Sequence, residues 1–96
     1  MKGHMEMFTT VEMRLFNDDY FTIIRTEENY IEVLSNNTKH QWVILKKPQD
    51  LGMSVILYHK HSSEKKYYHK HWKARSVKKV VEKLKEHDVY VMEKEG

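Results

Sequence analysis

The sequence predicts an α+β domain in which an antiparallel β-meander packs one face on a C-terminal amphipathic helix. Short segments rich in β-branched and aromatic residues follow one another from residue 7 to residue 72, separated by short polar turns. After Ser76, apolar residues recur at helical spacing. Short turns join antiparallel neighbours, and a helix that follows them covers one sheet face. We expect five to seven strands, in a sheet that stays open or closes in a barrel-like way.

Four strands are predicted in the first half of the chain. Residues 7–15 alternate with a period of two, and the three later segments are rich in β-formers. The predicted strands are Met7–Leu15, Tyr20–Thr26, Tyr30–Leu34 and His40–Lys46. Asn, Asp, Glu and Ser between them supply turn chemistry, which favours a meander.

Two more strands and the helix are predicted in the second half. Lys47–Gly52 holds the only proline and is a predicted loop. Met53–His59 and Lys66–Trp72 should then form a hairpin. Ser76 is a predicted N-cap for a helix that ends near His87, with an apolar stripe of Val77, Val80, Val81 and Leu84. Val89–Met92 either adds a last strand or trails off.

Length and composition limit the classes of protein. The 96 residues form one predicted domain, 1–96, of which Met1–Met5 has no pattern and is interpreted as disordered or a cloning remnant. No apolar run is long enough to span a bilayer, so we expect no membrane partner. The chain has no cysteine, which excludes disulfide scaffolds and thiol chemistry and is compatible with a cytoplasmic location.

Positive charge is concentrated in one segment. Residues 46–85 hold twelve Lys or Arg against three acidic residues, whereas the flanking segments are acidic. Such a segment can meet nucleic acid, an acidic protein or an anionic surface, and it can also be a solvated face.

A short repeat lies within this basic segment, because Tyr-His-Lys-His occurs at residues 58–61 and again at 68–71. A hairpin loop at Ser63–Lys65 would pair His59 with His69 and Ile56 with Trp72. The histidines would then share the face that carries Val55 and Leu57, toward the core. The aromatic and lysine residues would share the opposite face.

Our leading hypothesis from the sequence is binding of single-stranded nucleic acid. Aromatic rings on a sheet stack bases, and interleaved lysines neutralise phosphates. The candidate residues are Tyr58, Lys60, Tyr68, Lys70, Trp72, Lys73 and Arg75. The same side chains could instead only stabilise the hairpin through cross-strand pairs. The alternative function is a non-enzymatic interaction module for an acidic protein.

Metal binding is a lesser hypothesis, in which His59, His61, His69 and His71 are the candidate ligands. Imidazole suits zinc, copper or nickel, but the hairpin offers only Glu64 as a carboxylate to orient the rings. Half-buried histidines with ordinary hydrogen bonds would explain the same pattern, so the sequence leads us to expect no metal or other cofactor. The chain also lacks a phosphate-binding glycine loop and a nucleophile elbow, and we expect no enzyme.

Overall fold

The computed structural model describes residues 8–16, 19–49, 52–62 and 64–95. Two helices and five strands follow one another along the chain as α1 (Thr10–Arg14), β1 (Phe21–Thr26), β2 (Tyr30–Ser35), β3 (Gln41–Gln49), β4 (Gly52–Lys60), β5 (His69–Ala74) and α2 (Val77–Glu95). The strands form one antiparallel sheet in the order β1-β2-β3-β4-β5. The predicted α+β class and meander are therefore confirmed, and the sheet is open rather than closed into a barrel.

One face of the sheet, the core face, carries the hydrophobic core. Ile31, Ile44 and Leu57 are paired across β2, β3 and β4 and are fully buried. The predicted helix stripe, Val77, Val80, Val81 and Leu84, is buried in the same cluster. Burying each such side chain contributes about 1.5 to 3 kcal/mol, so this contact holds α2 on the sheet.

The predicted strand at Met7–Leu15 is wrong, because residues 10–14 form α1; Met7 lies outside the described residues. Thr9 and Glu12 form a capping box: the Glu12 N–H donates to Thr9 Oγ1 at 3.1 Å, and the Thr9 N–H donates to Glu12 Oε1 at 2.9 Å. This local pairing satisfies helix donors that a strand would leave open. Phe8 and Phe16 flank α1 and are buried in the core.

Helix α2 is longer than predicted. It begins at Val77, after the predicted cap Ser76, and continues past His87 to Glu95, so Val89–Met92 is helical and adds no strand. The predicted loop at Lys47–Gly52 is also shorter, because β3 extends to Gln49 and β4 begins at Gly52. Gly52 has a φ of 126°, a conformation that glycine adopts without strain. In the described part of the chain, neither helix is long and apolar enough to span a membrane.

The hairpin of β4 and β5 has the predicted register near its loop and departs from it further along. His59 pairs with His69 and Tyr58 with Lys70, as expected. A bulge then intervenes, so that Trp72 pairs with Leu57 instead of Ile56. Because an extra residue on β5 changes the face of the residues after it, the predicted place of Trp72 beside Tyr58 and Lys70 is wrong.

Candidate histidine metal site

Six of the seven histidines converge at one end of the core face, between the sheet and α2. His59 is the centre of this group, which we call the histidine cluster. Its ring centroid lies 4.6 to 5.9 Å from those of the other five, His40, His61, His69, His71 and His87. Only 1% of His59 is exposed. The predicted orientation of the hairpin histidines toward the core is therefore correct for His59.

Strand pairing and the helix bring these side chains together. His59 lies on β4 between two cross-strand partners on the core face, Trp42 of β3 and His69 of β5. His61 follows β4 directly, and His71 lies on β5 at the bulge. His40 immediately precedes β3, and His87 projects from α2. Hairpin pairing thus brings His59 and His69 together, whereas His40 and His87 reach the cluster from distant parts of the chain.

Asp88, next to His87 in α2, fastens the helix to the turn that carries His40. The carboxylate is fully buried and accepts hydrogen bonds from the Tyr20 hydroxyl at 2.7 Å and the Thr38 hydroxyl at 3.0 Å. The His40 backbone N–H donates in turn to Thr38 Oγ1 at 3.2 Å. These bonds hold the turn that carries His40 against the helix that carries His87.

Two sets of three histidines have the spacing of metal ligands. The inner triplet is His40, His59 and His87, and the outer triplet is His59, His61 and His69. Within each triplet, one ring nitrogen from each residue lies within 4.8 Å of the other two. Zinc–nitrogen bonds of roughly 2.0 to 2.1 Å in a tetrahedron separate the nitrogens by about 3.4 Å, so a small contraction would suffice. His40 Nδ1 and His59 Nε2 are 2.9 Å apart and form a hydrogen bond, whose proton a bound ion would displace.

Three histidines of the cluster, His59, His71 and His87, have lowered pKa values, which favours the neutral form that binds metal. Burial, followed by the nearby rings of His87 and His40, lowers the pKa of His59 to about 2. Burial likewise lowers the pKa values of His71 and His87. His87 Nδ1 is shielded from solvent and has no hydrogen-bond partner among the described residues. A buried nitrogen without a partner is costly, and a bound cation would use its lone pair.

Trp42 forms an aromatic wall of the cluster. Its indole stacks on the His59 ring with centroids 4.0 Å apart and an interplanar angle of 16°, and the rings of His71 and His87 lie nearly perpendicular to it. The fully buried indole donates its N–H to Ser35 Oγ at 3.0 Å. Trp42 therefore keeps water from one side of His59 and is placed to report changes at that ring.

His40 and His87 belong to the cluster but are not among the ligands predicted from the sequence. His87 extends the buried stripe of α2, three residues after Leu84, and this spacing was the available signal. His40 had no local signal, because its place depends on how β3 pairs with β4.

The fold places some of the predicted nucleic-acid-binding residues on one surface and the others elsewhere. Tyr58, Lys60, Lys70 and Lys73 lie on the sheet face opposite the cluster, which we call the outer face. Tyr68 also covers this face, since its hydroxyl donates to Glu32 at 2.6 Å and Lys60 Nζ lies 4.7 Å from its ring centroid. Trp72 instead lies beside α2, where Lys83 Nζ is 5.4 Å from its ring, and Arg75 is exposed in the link to α2.

No protein-family model matches the chain, and neither a curated protein nor a solved structure shows a significant match.

Proposed function

We propose that this protein binds one divalent transition-metal ion, of the zinc, copper or nickel class, through the inner triplet. The observation that supports the proposal is the convergence of His40, His59 and His87, whose ring nitrogens lie within 4.8 Å of one another. Imidazole is a common ligand for these metals, and the burial of His59 favours the neutral, metal-binding form. This differs from the sequence-based expectation of no cofactor. The proposed role is binding rather than catalysis, in the cytoplasm.

The metal proposal is tested by titrating zinc and nickel into a Trp72→Phe variant, in which Trp42 is the sole tryptophan. We expect a saturating change in Trp42 fluorescence and one equivalent of metal by calorimetry. His59→Gln should weaken the affinity by at least about tenfold, because both triplets lose their shared ligand. His4→Ala is the matched control, since it removes the one histidine that lies outside the described residues. Equal affinity in the His59→Gln and His4→Ala variants, with both folded by circular dichroism, would overturn the proposal.

The outer face supports a second function, the binding of single-stranded nucleic acid. Five basic residues lie on this face by strand register: Arg25, Lys47, Lys60, Lys70 and Lys73. Among the described residues of the five strands, Glu32 is the one acidic residue on this face. Its carboxylate accepts a hydrogen bond from the Tyr68 hydroxyl. Half-buried Tyr58 and Val43 lie in the same cross-strand row as Glu32 and Lys70. Phosphates would meet the cations, and bases would stack on Tyr58.

This second function is tested by the anisotropy of a labelled oligothymidylate at low and moderate salt. We expect Tyr58→Ala and Lys70→Ala each to weaken binding, with a smaller salt slope for Lys70→Ala. Arg75→Ala, which removes a cation outside the sheet, is the control. Equal competition by polyglutamate would instead favour the module for acidic proteins. If neither the oligothymidylate nor polyglutamate binds at low salt, both the nucleic-acid and the acidic-protein hypotheses are contradicted.

A further inference from the structure

The inner and outer triplets share His59, and we infer that the outer triplet captures a metal ion from solvent and passes it to the inner triplet. This inference rests on the proposed metal-binding function and adds to it a route for loading and release. It makes the protein a carrier or buffer whose ion exchanges with its surroundings.

The difference in burial between the triplets supports this direction of transfer. His61 and His69 are exposed, whereas in the inner triplet His59 and His40 are buried and His87 is half-buried. The outer triplet is therefore the more accessible of the two to an ion from solvent. The way to the inner position passes the His61 ring, whose centroid lies 4.6 Å from that of His59 and 5.1 Å from that of His40.

The shared residue allows the ion to move without being released. His59 belongs to both triplets, so it can remain a ligand while His61 and His69 are exchanged for His40 and His87. Replacing one ligand at a time avoids an uncoordinated divalent ion in a partly apolar space, which would be very costly. Fully buried Asp88, adjacent to His87, supplies a negative charge near the inner position.

The same sharing limits the occupancy to one ion. A neutral imidazole has one ring nitrogen with a free lone pair, and the other nitrogen carries its proton. His59 therefore serves one ion at a time, and the two triplets are alternative positions rather than two sites. We therefore expect one ion per chain even though six histidines lie in the cluster.

Stopped-flow mixing of zinc with the Trp72→Phe variant tests the transfer, because Trp42 stacks on His59 and reports the arrival of the ion. Adding His61→Ala and His69→Ala should slow binding by about tenfold and change the equilibrium affinity by less than about threefold. Adding His40→Gln and His87→Gln should leave fast binding but weaken the affinity by at least about tenfold. His4→Ala is again the control for loss of one histidine.

The outcomes separate this inference from the proposed function. If the parent variant binds no zinc, both fail. If it binds zinc and the outer-triplet substitutions leave the association rate unchanged, the transfer is overturned while the metal-binding function stands. Two equivalents of zinc per chain would also overturn the transfer, because His59 would then not be shared. His61 and His69 are exposed, so their replacement by alanine should leave the fold intact.

Discussion

His59 shows how one buried titratable residue makes both the site and the fold sensitive to acid. In the folded chain its pKa is lowered from 6.5 to about 2, chiefly by burial. Between these two pKa values, His59 is protonated in the unfolded chain and neutral in the folded chain. The stabilisation is fully present above pH 6.5 and is lost as the pH falls from there toward the folded pKa. His71 and His87 act in the same direction, because their pKa values are lowered too.

We expect the free energy of unfolding to fall as the pH drops below about 6.5, with a limiting slope of about 1.4 kcal/mol per pH unit for each excluded proton. His59→Phe keeps a ring against Trp42 and removes one titrating group. It should therefore reduce this slope by up to the contribution of one proton, about 1.4 kcal/mol per pH unit. Urea unfolding at several pH values, without metal, measures this slope in the parent chain and in His59→Phe. An unchanged slope in His59→Phe would mean that His59 does not carry the acid sensitivity.

At the scale of elements, Asp88 joins three parts of the chain. Its carboxylate holds Tyr20, just before β1, and Thr38, in the turn between β2 and β3, against α2. Asp88→Ala would leave two hydroxyls without their acceptor and open a space in the packed interior. We expect a loss of about 2 to 4 kcal/mol in the free energy of unfolding. Tyr20→Phe, which removes one of the two bonds, should cost about 1 kcal/mol.

Urea unfolding with coincident fluorescence and circular dichroism transitions would measure these losses. The Asp88→Ala variant should also bind zinc more weakly, because the helix and the turn position His87 and His40. A loss of stability no larger than that of Tyr20→Phe would show that Asp88 does not join these elements. Retained affinity in a folded Asp88→Ala chain would show that the triplet does not depend on this contact.

The elements also show what a sequence alone can predict. The strands β1 to β5 and the stripe of α2 could be predicted because local composition and periodicity agree with their final environment. The five-residue helix α1 could not be separated from a strand by periodicity, and the capping box of Thr9 and Glu12 was the better signal. The local register correctly predicts the pairing of His59 with His69, whereas the bulge at His71 departs from it. His40 and His87 were missed because long-range packing places them.

At the scale of the whole molecule, the sheet separates the two proposed functions. Neighbouring residues on β3 point to opposite faces: Trp42 contacts His59 on the core face, whereas Val43 pairs with Tyr58 on the outer face. We therefore expect zinc to leave the oligonucleotide affinity within about twofold, because the sites share no side chain. Anisotropy with zinc and with a chelator would test this. A larger change would require coupling through the sheet.

The distribution of the inner triplet along the chain makes metal binding a source of stability for the whole fold. His40, His59 and His87 come from the turn before β3, from β4 and from α2, so the unfolded chain does not hold them together. A ligand that binds only the folded state stabilises it by about 2.7 kcal/mol at a hundred times its dissociation constant. For a domain of this size, that corresponds to a rise of roughly 10 to 20 °C in Tm.

Thermal unfolding with zinc should show this rise near neutral pH, and a chelator should reverse it. The rise should shrink in acid, because protons compete with the metal for the same imidazole nitrogens. Unfolded histidine-containing chains also bind metal, so the comparison with His40→Gln plus His87→Gln is decisive: this variant keeps five histidines but lacks the folded inner triplet. An equal rise in that variant would assign the stabilisation to ligands outside the inner triplet.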